Sequence, residues 1–167
     1  RVFTELYKEF KRNNSYEFVF PVIFSNNEYI GEIKKVSKFF PSSNSFLVTA
    51  IMYAINRLYT TIRLLFTDFD IFQPTYYDPY FIPFLKKKPF VLLIHDMTHE
   101  IFPEDVSKKD RTIVWKKKLV EKADRILAIS ESTKKDIIKF YDFSEEKVDI
   151  VNWSTSLRIS NKEIDID

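Results

Sequence analysis

Four polar clusters in this chain each follow a short apolar run. Gln73-Pro74-Thr75-Tyr76-Tyr77 follows Ile71-Phe72, and His95-Asp96-Met97-Thr98-His99-Glu100 follows Phe90-Val91-Leu92-Leu93-Ile94. Ser130-Glu131-Ser132-Thr133 follows Arg125 to Ile129, and Asn152-Trp153-Ser154 follows Lys147 to Val151. Imidazole, carboxyl and hydroxyl groups can pass a proton or hydrogen-bond a hydroxylated ligand. They can also hold reactants in place without supplying a strong nucleophile. In open α/β sheets, ligands bind outside the carboxyl ends of the strands. The spacing therefore predicts one ligand-binding rim carrying Thr75, His95, Ser130 and Asn152, with Asp68 on the opposite side.

Other chemistries are weaker in the same residues. Asp68-Phe69-Asp70 has the Asp-x-Asp pattern that can hold a divalent metal against a diphosphate. It stands before a strand, however, and reads as a solvated helix-to-strand turn. His95 and His99 have the four-residue spacing of two zinc ligands on one helical face. His95 ends a strand, and no glutamate follows either His in the metalloprotease order, so no metal site is expected. Ser130 with His95 could suggest acyl transfer, but the glycines of a nucleophile elbow are missing. The chain has no cysteine, which excludes disulfides, thiolate metal sites and thiol nucleophiles. It has a single glycine, Gly31, which excludes a glycine-rich phosphate loop.

These clusters need a scaffold, and 167 residues suit one domain with its own core. Hydrophobic residues at 45% and charged residues at 30% exclude a disordered chain, and a net charge of +2 gives no global pull toward nucleic acid. The 17 Phe and 9 Tyr, with abundant Lys, Asn and Ile, look like the codon bias of an AT-rich genome. Val2, Phe3, Leu6, Tyr7 and Phe10 recur at helical spacing, and Arg12-Asn13-Asn14-Ser15 ends that helix. The amphipathic run is already under way at Arg1, so the chain reads as a piece of a longer protein. Tyr16 to Phe24 is rich in aromatic and β-branched residues and predicts a strand, with Pro21 placing it at an edge or bulge. Asn26 to Ser45 predicts a loop region with one short element. Phe46 to Phe66 is the most apolar stretch, but Asn56, Arg57 and Arg63 interrupt it, which favours a half-buried helix over a bilayer span.

Beyond it a regular beat begins. Strands are predicted near 70–73, 90–94, 126–129 and 148–151. Ser107-Lys108-Lys109-Asp110 predicts a capping box, with a helix to about Lys122. Ser130 predicts the cap of a second helix through Tyr141, with Glu131 in its first turn. Strands alternating with helices predict an α/β fold, a Rossmann-like, mostly parallel sheet with helices on both faces. The lysine runs 86–88 and 116–118 predict a solvated helix face and loop. They also offer a weak footing on anionic lipid heads. No nucleic-acid motif accompanies them.

Three linked segments resemble family-four glycosyltransferases, the glycogen-synthase-like, retaining group. Asp70-Ile71-Phe72-Gln73-Pro74-Thr75-Tyr76-Tyr77 is similar to their D-hydrophobic-F-H-P-T-Y-Y segment. His95-Asp96-Met97 through Glu100-Ile101-Phe102-Pro103-Glu104 is similar to H-D-M…E-x-F-P-E. Ala123 to Asp136 is similar to A-D-R-I-I-A-V-S-E-S-T-K-x-D, and Glu146 to Val151 matches the strand that follows. The likeness spans about residues 68–152. It implies the N-terminal, acceptor-binding half of a GT-B architecture, in which two Rossmann-like domains face each other across a cleft. Residues 1–155 would form that domain without its first strand and loop, and 156–167 a tail toward a C-terminal domain that binds most of the nucleotide sugar. Asn152-Trp153-Ser154-Thr155-Ser156 replaces the family's small-residue stretch after the last strand.

The resemblance further implies retaining transfer of a hexose from a nucleotide sugar to a polysaccharide or lipopolysaccharide precursor. The partners would be the donor and a carbohydrate or lipid-linked acceptor, with no metal and no other cofactor. A bacterial, cytoplasmic protein is expected, peripheral at the inner membrane face. His95 would hydrogen-bond the donor sugar, and Asp96 would orient His95 or receive an acceptor hydroxyl. Thr75, Tyr76 and Tyr77 would line the acceptor side. Ser130 and Thr133 would donate from a helix N-terminus, although capping explains them equally well. A non-catalytic α/β binding module is the competing expectation. A nucleotide-dependent oxidoreductase fails on the missing glycine-rich loop.

Overall fold

The computed structural model describes residues 2–13, 16–25, 28–31 and 46–151. Helix α1 (Val2–Asn13) and the single turn α2 (Glu28–Gly31) precede the long helix α3 (Phe46–Phe66). A 3-10 segment, Pro79–Phe84, leads to strand β1 (Val91–Ile94). The turn α4 (Thr98–Ile101) and helix α5 (Thr112–Val120) connect it to β2 (Arg125–Ala128). Helix α6 (Glu131–Tyr141) then connects to β3 (Val148–Ile150). The strands form a parallel sheet in the order β1-β2-β3. Ile94 lies opposite Ala128, and Ala128 opposite Ile150, so all three strands end on one rim. This is the α/β, Rossmann-like arrangement that the strand–helix beat predicts.

Burial explains the pattern. Leu92, Leu93 and Ile94 are consecutive and all buried. Successive strand side chains point to opposite faces, so both faces of β1 are covered. Phe81, Phe90, Met97, Leu119, Val120, Ile126, Ile137 and Val148 complete the core around it. The edge strand β3 buries Val148 and exposes Asp149.

Three expectations are corrected. Tyr16 to Phe24 is not a continuous strand: it carries a single bridge position, at Phe24, and part of its backbone bonds to side chains of α3. Asn56 Oδ1 accepts from the N–H groups of Ile23 (3.0 Å) and Phe24 (3.1 Å), and Asn56 Nδ2 donates to the Phe24 carbonyl (2.8 Å). Thr60 Oγ1 donates to the carbonyl of Pro21, whose nitrogen has no proton to give a ladder (3.0 Å). The aromatic side chains serve a local cluster, with Phe18 and Phe20 packed on Tyr7 of α1. Residues 70–73 contribute one parallel bridge, Phe72 to Phe90, rather than a strand. Pro74 lacks an N–H and stops the pairing from continuing. Ser107 caps no helix: its carbonyl closes a turn with the Asp110 N–H (2.8 Å). Helix α5 begins five residues later, where Asp110 Oδ1 accepts from the Thr112 N–H (2.7 Å).

Helix α3 has the expected length and is half-buried, with Thr60 and Leu64 inside and Phe46, Leu47, Tyr53 and Phe66 exposed. Among the described residues, no helix is long and apolar enough to cross a membrane. Asn152 and the 156–167 tail lie outside the described residues.

A chain with one glycine must make its left-handed turns with other residues. Lys86 (φ 49°) and Lys87 (φ 65°) do so in the turn before β1. Lys86 gains a bond from its ammonium to the Leu65 carbonyl. Lys87 is exposed, and its Cβ crowds the backbone at a cost of roughly 1 kcal/mol. Lys87→Gly should raise the melting temperature by about 2–4 °C, read by calorimetry.

Candidate functional site

The rim at the carboxyl end of the sheet is built by three local stops. Strand β1 ends at Ile94, and His95 is the next residue. The His95 N–H donates to the Tyr77 hydroxyl (3.2 Å), which brings the 75–77 segment against the end of β1. Tyr77 is buried, and its ring lies 5.5 Å from that of Tyr76, which is 64% exposed. Thr75 is exposed beside them. In the register Ile94 faces Ala128, so the residues after β2 lie beside His95. There Ser130 Oγ accepts from the Thr133 N–H (3.1 Å) and lies 3.0 Å from Thr133 Oγ1. Ser130 caps α6 as predicted, with Glu131 in the first turn.

The structure thus brings His95, Asp96, Tyr76 and Tyr77 to one strand end, and joins Ser130 to Thr133 at the next. Asp68 is on the far side, at the start of β1, where Lys88 Nζ binds its carboxylate (2.8 Å). The histidine pair does not share a helix. His95 follows a strand, while His99 sits in α4 with its Nε2 3.6 Å from Asp110. Among the described residues, no three His, Cys, Asp or Glu side chains are grouped as metal ligands.

Electrostatics separate the two residues of the His-Asp pair. Burial holds the His95 imidazole below its ordinary pKa; Asp96 opposes this and the Lys116 charge adds to it. His95 is therefore neutral at neutral pH, able to donate from one nitrogen and accept at the other. Burial pushes the Asp96 carboxyl up, but the backbone N–H and hydroxyl of Thr98, with Lys116, outweigh it and hold it below the usual carboxylate value. Burial pushes the Tyr77 hydroxyl up to about 12, so it remains a neutral phenol.

A sequence model described as Glycosyltransferase Family 4 matches residues 2–152. The chain belongs to that family. Comparison with curated proteins returned no match. By the strand-end rule, the cluster at His95 is the place where a ligand would bind.

Three residues, of which only Glu100 stands in a cluster named from the sequence, complete the neighbourhood of this candidate site. Lys116 Nζ donates to the Asp96 carbonyl (3.1 Å) and to Glu100 Oε2 (2.9 Å), and the Tyr141 hydroxyl donates to Glu100 Oε1. The Lys116 and Glu100 side chains are 1% and 3% exposed. The lysine run 116–118 is therefore not a uniformly solvated face. The signal was its spacing: Thr112, Lys116, Leu119 and Val120 share the buried stripe of α5. Tyr141 lies 41 residues beyond Glu100, and no sequence pattern links them.

Loss of the cap is separable from loss of a ligand contact. Ser130→Ala should cost about 1 kcal/mol through the lost bond to the Thr133 N–H. Ser130→Asp, which keeps a capping oxygen, should recover that stability in thermal melting.

Proposed function

We propose that this chain is the acceptor-binding domain of a retaining glycosyltransferase that moves a hexose from a nucleotide sugar to a polysaccharide or lipopolysaccharide precursor. The supporting observation is the His95 imidazole placed directly after a strand buried on both faces, in a Family 4 domain, where burial holds its pKa below the ordinary value. In the transfer, the bond from sugar carbon to diphosphate breaks, and a bond to the acceptor oxygen forms. The acceptor's proton passes to the departing phosphate oxygen or to Asp96. Charge spreads onto the sugar ring as the diphosphate leaves, so positioning and fixed dipoles matter more than a strong nucleophile.

His95 would hydrogen-bond the sugar hydroxyls near the reacting carbon. Asp96, held ionised, would face the acceptor hydroxyl or the imidazole. Thr75 and Tyr76 are exposed and Tyr77 is buried behind them, which suits a wall on the acceptor side. Ser130 and Thr133 would offer hydroxyls from the α6 terminus. The nucleotide would bind mainly a second domain across the cleft. The test uses the full-length protein with UDP-glucose, UDP-galactose and GDP-mannose, plus a lipid extract of the source organism as acceptor. Release of nucleoside diphosphate that depends on the extract, with the anomeric configuration of the donor preserved in the product, is expected. Product of inverted configuration would remove the retaining assignment.

A further inference from the structure

The loop that carries His95 and Asp96 is fastened by three residues from outside it: Tyr77, Lys116 of α5 and Tyr141 of α6. Its first residue donates its backbone N–H to Tyr77 (3.2 Å). The carbonyl of its second residue, Asp96, accepts from Lys116 on α5 (3.1 Å). Glu100 anchors its far end, with one carboxylate oxygen on Lys116 and the other on the Tyr141 hydroxyl of α6. The Lys116 ammonium also stands 4.9 Å above the Tyr77 ring, so the fastenings share one buried centre.

A buried ion pair is an expensive way to stabilise a core. Apolar side chains of similar volume often do as well or better, because both charges must be stripped of water. Here the donors go to the loop's backbone and to the loop's own carboxylate. We infer that Lys116, Glu100 and Tyr141 are positioning residues, which hold His95 and Asp96 at the strand end in the geometry that transfer requires. The part of this inference that concerns the reaction rests on the function proposed above. A displacement of about 1 Å at a reacting group can cost a hundredfold in rate, so the cluster would act on turnover more than on donor binding.

The test compares three variants of the full-length protein with wild type. Tyr141→Phe removes one donor and keeps the packing. The double variant Lys116→Met with Glu100→Gln removes both charges together and leaves no lone buried ion. Val148→Ala removes core methyl groups at the opposite end of the sheet and controls for lost stability. With UDP-glucose and GDP-mannose as donors, kcat should fall about 10- to 100-fold in the double variant and in the same direction in Tyr141→Phe, with donor KM nearly unchanged. Val148→Ala should keep wild-type kcat per folded molecule. If the double variant loses no more kcat than Val148→Ala, the positioning role is overturned.

If wild type itself transfers no sugar, the functional proposal fails alone, and histidine NMR decides the positioning role. In protein labelled at histidine carbon, the His95 imidazole signal, assigned by its loss in His95→Gln, should move in Tyr141→Phe, which changes no charge. It should stay in place in Val148→Ala. An unmoved signal in Tyr141→Phe overturns the inference.

Discussion

His95→Ala is expected to leave the domain folded and to lower sugar transfer by about 10²–10³-fold, as loss of one preorganised contact does at a developing charge. His95 is only half-buried and stands just past the last residue of β1. Its fastening to Tyr77 uses the backbone N–H, which alanine keeps. Truncation at such a position opens no core cavity, unlike truncation of Phe81 or Ile94, which are fully buried. A packing histidine would give the reverse pattern, a lower melting temperature with near-normal turnover per folded molecule. Melting and transfer rate measured on the same full-length samples separate the two, and turnover within about threefold of wild type would make His95 a bystander.

Lys116→Met should be among the most damaging single substitutions to stability. It keeps the length of the side chain but leaves Glu100 buried without its cation. Removing one partner of a buried pair typically costs about 3–5 kcal/mol. For a domain of this size that is a fall of roughly 10 °C in melting temperature. Lys117 and Lys118, its neighbours in the run, are exposed, so Lys117→Met should stay within about 0.5 kcal/mol of wild type. Adding Glu100→Gln to Lys116→Met should restore much of the loss, because the stranded charge is gone. Denaturant midpoints of the four proteins provide the reading. Equal midpoints for Lys116→Met and Lys117→Met would contradict the buried pair.

The sheet was legible because residues 90–94 and 126–129 are short apolar runs, each followed by polar residues, and a strand covered on both faces, as β1 is, must be apolar throughout. The Ser130 cap was legible because it is local: the hydroxyl and the N–H it binds are three residues apart. Tyr16 to Phe24 misled because aromatic and β-branched composition signals an extended backbone but not what that backbone bonds to. Its partners, Asn56 and Thr60, lie more than thirty residues away on a helix. Ser107 misled because a serine followed by an acid three residues later fits a tight turn as well as a capping box. Lys116 was hidden because a lysine within a lysine run has the composition of a surface. Only its register with Thr112 and Leu119 marks it as buried, and its partner Glu100 comes from another element. The rim at His95 could be found because strand ends can be read from the sequence. The posts beneath it could not, because they are tertiary.

The most direct test of the role proposed for His95 is a structure of the full-length protein with a bound nucleotide sugar. The sugar ring is expected at the carboxyl end of β1, with a His95 nitrogen about 3 Å from a sugar hydroxyl next to the reacting carbon. Tyr76 and Thr75 are expected on the side from which the acceptor approaches. A donor whose sugar lies against the Asp68 end of the sheet, out of reach of His95, would contradict it.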